Sequence, residues 1–105
     1  MSRAVAINTM WYVYIIQAKD NTLYTGITID VARRLQQHAA GVGAKYLRGK
    51  QPLQLVLSIE VSDRSTASQL EYKIKRLSRA QKIQLIAQGV TTPESMNCKL
   101  TGFKL

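Results

Sequence analysis

Arg34 and His38 are four residues apart, a spacing that stacks two side chains one turn apart on the same face of a helix. His38 is the chain's only histidine. It is a candidate base for an active site, and its alternative is a solvated flank beside the apolar stripe of Val31, Leu35 and Ala39. A second reactive position is Glu71, the only acid between Asp63 and Glu94. It falls between Leu70 and Ile74 at the edge of an apolar stripe, where a carboxylate partly withdrawn from water needs a compensating cation. That cation is either Lys75, at the favourable i,i+4 spacing, or a metal ion. Mg²⁺ is often held by one or two carboxylates with water and phosphate, so a single glutamate can suffice. The third group is Tyr12, Tyr14, Tyr24 and Tyr46. A phenol titrates near 10 and is a poor base unless cations lower its pKa, which Arg34 could do at close range. The alternative is packing, since aromatics are good strand residues.

These side chains need elements to hold them. Trp11–Ile16, WYVYII, is aromatic and β-branched and predicts a strand. Lys19–Thr22 carries turn chemistry, and Leu23–Ile27 predicts a second strand, completing a hairpin. Asp30 is a suitable N-cap for a helix from about Val31 to Ala40, ended by Gly41. Gly41–Pro52 is a basic, glycine-rich loop, and Leu53–Val61 predicts a third strand. A helix of roughly Ser65–Leu77 follows, with Ala67, Leu70, Ile74 and Leu77 at core-facing spacing. The last helix is about Arg79–Gln88, stopped by Gly89. The expected fold class is α+β: a three-stranded, mostly antiparallel sheet flanked by helices, in the order β-β-α-β-α-α. Residues 1–10 read as a flexible leader, 11–89 as the folded domain and 90–105 as a C-terminal tail.

The chain has 105 residues, of which 46% are apolar, enough for one compact domain with a core. Its formal charge is +9, which points to a polyanion such as nucleic acid, although an anionic membrane surface has the right sign too. The lone Cys98 can form neither an internal disulfide nor a cysteine-based zinc site, and it fits a reducing compartment. The first ten residues lack the continuous apolar run of a secretory signal, and Trp11–Ile16 is too short to span a bilayer. The expectation is a cytoplasmic protein with no membrane and no disulfide partner. Nothing in the sequence sets the oligomeric state.

Tyr12–Tyr14 (YVY), nine intervening residues and Tyr24–Gly26 (YTG) together resemble the paired signature of the GIY-YIG endonuclease family. Ala32–His38 (ARRLQQH) is similar to that family's helix, with an arginine ten residues after the second tyrosine and a histidine four residues later. Ser68–Leu77 (SQLEYKIKRL) is similar to the helix that carries the family's metal-binding glutamate. The likeness covers about residues 11–88 and is greatest to small, stand-alone bacterial members. Tyr12 replaces the first glycine of the signature and Thr25 the middle isoleucine. Ile27 stands where some members carry a lysine.

The resemblance implies a metal-dependent endonuclease that hydrolyses DNA phosphodiester bonds, with a choice among DNA structures in repair or recombination within the family's range. In that reading Glu71 holds one Mg²⁺ or Mn²⁺ ion, and Arg34 pairs with a phosphate oxygen. Tyr14 or Tyr24 takes the proton of the attacking water, and His38 assists. Gly26 allows close approach of a phosphate or another chain. Lys45, Arg48 and Lys50 would grip the DNA backbone, Tyr46 would stack on an exposed base, and Lys75 would extend the basic footprint. The pairing also makes a geometric demand. Side chains alternate across a strand, so Tyr14 and Tyr24 share a face only if the hairpin loop around Asn21 has an odd number of residues. The rival readings are a nucleic-acid-binding module that kept the fold without useful catalysis, and a basic protein-interaction domain.

Overall fold

β1 (Trp11–Gln17) and β2 (Leu23–Thr28) form the expected hairpin, and β3 (Gln54–Val61) pairs with the other side of β1. All pairings are antiparallel and the strand order is β2-β1-β3. Among the described residues the helices are α1 (Val31–Ala39), α2 (Arg64–Lys75) and α3 (Arg79–Ala87), with a 3₁₀ turn at Lys45–Leu47 before β3. The order β-β-α-β-α-α and the α+β class are those read from the sequence. This computed structural model describes residues 9–43 and 45–89. The expected tail, most of the expected leader and the side chain of Tyr46 lie outside the described residues.

Each helix begins where a short polar side chain can take up a free backbone amide. Asp30 accepts from the Arg33 amide at 3.1 Å and Asp63 from the Thr66 amide at 2.7 Å. Ser78 and Gln81 form a reciprocal capping box. Because Asp63 is the cap, α2 starts one residue earlier than its apolar stripe alone suggests.

β1 is the central strand and is covered on both faces, which explains why WYVYII is a continuous apolar run without alternation. Val13 and Ile15 join Leu57, Ile59 and Val61 under α2 and α3, where Ala67, Leu70, Ile74, Leu77 and Leu85 close the main core. Tyr14, Ile16 and Ala18 point the other way, against Leu47 and the partly buried Tyr24, Leu35 and Leu53. Ile15 pairs with Leu57 but Ile16 pairs with Leu55, so Val56 is the extra residue of a bulge.

The hairpin register meets the geometric demand. Ile16 pairs with Tyr24 and Gln17 with Leu23, leaving a five-residue loop, Ala18–Thr22. Asn21 turns the chain at φ 67°, a conformation that asparagine tolerates. With an odd-length loop, Tyr14 and Tyr24 fall on one face, and their ring centroids are 6.3 Å apart.

Candidate active site

Tyr14 lies directly across from Gly26 on the edge strand β2. A Cβ at position 26 would stand 2.6 Å from the Tyr14 hydroxyl. The missing side chain therefore makes room for Tyr14, whose phenol lies across β2 at this point. The close neighbour at Gly26 is this phenol, where the sequence suggested a phosphate or another chain.

His38 approaches from α1 and is 1% exposed, so it is a buried group and not a solvated flank. Its Nε2 shares a 3.0 Å hydrogen bond with the Tyr14 hydroxyl. The Tyr24 ring meets the imidazole edge-on, at 5.3 Å between centroids. Gly43 closes the far side: a Cβ there would collide with His38 Nδ1 and Cα. The amides of Val42 and Gly43 both donate to the Gln37 carbonyl, folding this segment back over α1. Burial, aided by the nearby positive charge of Arg34, holds the His38 pKa below its ordinary 6.5. The imidazole is neutral at pH 7.

Arg34 sits one turn before His38, and its Nη1 donates to Gln37 Oε1 at 2.9 Å. The guanidinium also lies beside the Tyr14 phenol and favours its ionised form. The expectation that this would make Tyr14 a better base is not met. Burial opposes ionisation more strongly than Arg34 favours it, and the charges of Tyr24 and Glu71 add to the opposition, so the Tyr14 pKa is raised above 10.0.

Glu71 projects from α2, which packs against both β1 and β2. Its carboxylate is near enough to Tyr14 for its charge to act on the phenol. The salt-bridge reading of Glu71 is met: Oε2 pairs with Lys75 Nζ at 3.2 Å, with the side chain 24% exposed. Among the described residues no group of three or more His, Cys, Asp and Glu could form a complete protein cage for a metal. The donor set does not fit a structural zinc site. It fits a hard divalent ion that keeps water and phosphate in its shell.

The proposed DNA-contact residues divide differently. Lys45 is exposed. Arg48 donates from Nε to the Gly41 carbonyl at 3.1 Å, and Lys50 pairs with Asp20 at 3.4 Å, tying the loop to the hairpin tip. Lys75 is engaged with Glu71. The sequence reading missed Gln37, which holds Arg34, and Gly43, which packs on His38. It also missed Trp11, Arg33 and Arg64, which share a cleft with Arg34. Gln37 could have been found as the i+3 neighbour of Arg34. Gly43 had no sequence signal beyond being one glycine of a loop.

Ile27 points away from this pocket. It pairs with Val13 and packs against the main core, on the face opposite to Tyr14. A lysine missing from position 27 therefore removes nothing from the tyrosine face.

Sheet order, helix order and the grouping of phenols, imidazole and guanidinium at one sheet edge describe a small α+β domain of one recognisable family. The chain belongs to the GIY-YIG family: the description "GIY-YIG catalytic domain" matches residues 10–84. It is similar to the UPF0213 protein of Citrobacter koseri, with 56% identity over 81 residues, covering 77% of this chain and 81% of that one. It is also similar to the UPF0213 protein YhbQ of Escherichia coli, at 52% identity over 89 residues, covering 85% and 89% of the two chains. The solution NMR structure of a UPF0213 protein from Bacillus halodurans aligns with a TM-score of 0.52 and 43% identity, over 88% of this chain and 97% of that one.

Proposed function

We propose that this protein is a divalent-metal-dependent DNA endonuclease using Tyr14, Tyr24, Arg34, His38 and Glu71. The observation that carries the reading is the Tyr14–His38 hydrogen bond, held beside the Arg34 guanidinium. A phenol with a raised pKa is protonated at neutral pH, and a neutral imidazole can accept its proton. Tyr14 can therefore take a proton from the attacking water while passing its own to His38 Nε2. No free phenolate forms, so the raised pKa is no obstacle. Tyr24 packs against both rings and limits their movement. Arg34 pairs with the phosphate, and negative charge developing there offsets the charge arriving on His38. Glu71 is the residue that would hold Mg²⁺ or Mn²⁺, which when bound supplies charge stabilisation at the phosphate and the leaving oxygen.

The substrate in this reading is the DNA backbone. Phosphate contacts carry no sequence information, so selection by DNA structure in repair or recombination is the natural extension. A DNA substrate and a lone cysteine together favour the cytoplasm. The test is a cutting assay on labelled flap, fork and single-stranded DNA with Mg²⁺, Mn²⁺ or EDTA. Metal-dependent cutting that disappears in Glu71→Ala is expected. Tight, salt-sensitive binding with no cutting under any condition would instead identify a binding module of the same fold.

A further inference from the structure

A cleft of about 460 Å³ opens beside the active site, where Arg33 and Arg34 of α1, Arg64 of α2 and Trp11 of β1 line it with Asp30, Gln37 and the segment 27–29, so that Ile27 faces this cleft and not the tyrosines. Arg64 lies over the Trp11 ring, 5.5 Å from its centroid, a contact that fixes the guanidinium at the cleft wall. The ion pairs among the described residues join Lys50 to Asp20 and Lys75 to Glu71, so none of the three arginines is in one. The one acid of the cleft, Asp30, is engaged in capping α1. Three guanidinium groups around one concavity, opposed by one engaged carboxylate, make a site for an oxyanion.

Arg34 belongs to both places, acting on the Tyr14 phenol in the active site and lining this cleft. Arg64 and Glu71 are seven residues apart on α2, two turns and so on one face, about 10 Å along the axis. That span corresponds to about one to three nucleotides of a DNA strand, which rises about 3.4 Å per step when stacked.

We propose that the cleft is a second phosphate subsite, in which Arg33 and Arg64 hold a backbone phosphate of the same strand beside the one at Arg34. The identity of the oxyanion as DNA rests on the nuclease reading above. Two grips on one strand fix its position and direction, which a single arginine cannot do.

The test uses the full chain and a labelled forked DNA in EDTA, so that binding is read without cutting. Single phosphates of the strand are replaced one at a time by uncharged methylphosphonates, and affinity is measured by fluorescence anisotropy. The wild type is expected to lose about tenfold at an inner and an outer position, while the double variant Arg33→Ala, Arg64→Ala loses under about twofold at the outer one only. The inner position is the one whose effect vanishes in Arg34→Ala. The double variant's salt slope falls by about 1 to 2. Arg33→Gln with Arg64→Gln repeats the test should the alanine pair fold poorly. An outer effect that survives in the double variant, or no outer position at all, overturns the subsite. Failure to cut DNA with metal overturns the nuclease reading and leaves these couplings measurable. Glu71-dependent cutting without them overturns the subsite alone, and no DNA affinity at all overturns both.

Discussion

The Tyr14 hydroxyl and His38 Nε2 are 3.0 Å apart although 24 positions separate the two residues in the chain. A buried phenol is bonded here to a buried neutral imidazole, and Gly26 and Gly43 are two positions whose lack of a side chain makes room for the pair.

Tyr14→Phe keeps the ring and removes the proposed proton path. Cleavage of a labelled flap substrate under single-turnover conditions should slow by about 100-fold or more. The unfolding free energy should fall by about 1–3 kcal/mol, the cost of leaving the buried His38 Nε2 without its phenol partner. An active phenylalanine variant would remove Tyr14 from the proton path.

Gly26→Ala places a methyl group 2.6 Å from the Tyr14 hydroxyl. Either β2 or the phenol must shift, at a cost of about 1–3 kcal/mol. Urea unfolding should show that loss, and cutting should fall with it. The double variant Gly26→Ala, Tyr14→Phe should recover part of the stability, because the clash with the hydroxyl is gone.

Glu71→Gln separates stability from activity. The Lys75 partnership is a half-exposed i,i+4 pair worth about 0.5 kcal/mol, so the melting temperature should move little. Metal-dependent cutting should be lost. Isothermal titration with Mn²⁺ and DNA should show weaker metal uptake than in the wild type.

His38 also makes stability depend on pH. Its folded pKa is depressed, so the unfolded chain binds the proton more readily. The contribution is fully present above the unfolded value of 6.5 and is lost as pH falls through the lower folded value. Asp20, held below 3.8 by the Thr22 side chain and then its amide, and Asp63, held below 3.8 by the Thr66 amide and then its side chain, add their own loss at still lower pH. Melting curves between about pH 8 and 2.5 should therefore decline, first below the reference imidazole value and then along the carboxylate limb. His38→Gln should flatten that decline while leaving the carboxylate limb in place.

Short-range chemistry made much of this molecule legible in advance. The β-branched and aromatic run of β1, the cap Asp30 and the helical spacing of Ala67, Leu70 and Ile74 each act within one or two turns of chain. The same locality placed Arg34 and His38 on one helix face. Tertiary structure decided the rest. The five-residue loop put Tyr14 and Tyr24 on one face, and the crossing of β2 at Gly26 put a phenol where α1 could meet it. The sign of the Tyr14 shift was a contest between burial and the Arg34 charge, and burial won because helix and strand close over the ring. Desolvation depends on every neighbour a group acquires, and Trp11, Arg33 and Arg64 become neighbours only when strand and helices are packed. Periodicity and capping are properties of a segment, whereas a pocket and its electrostatics belong to the assembled fold.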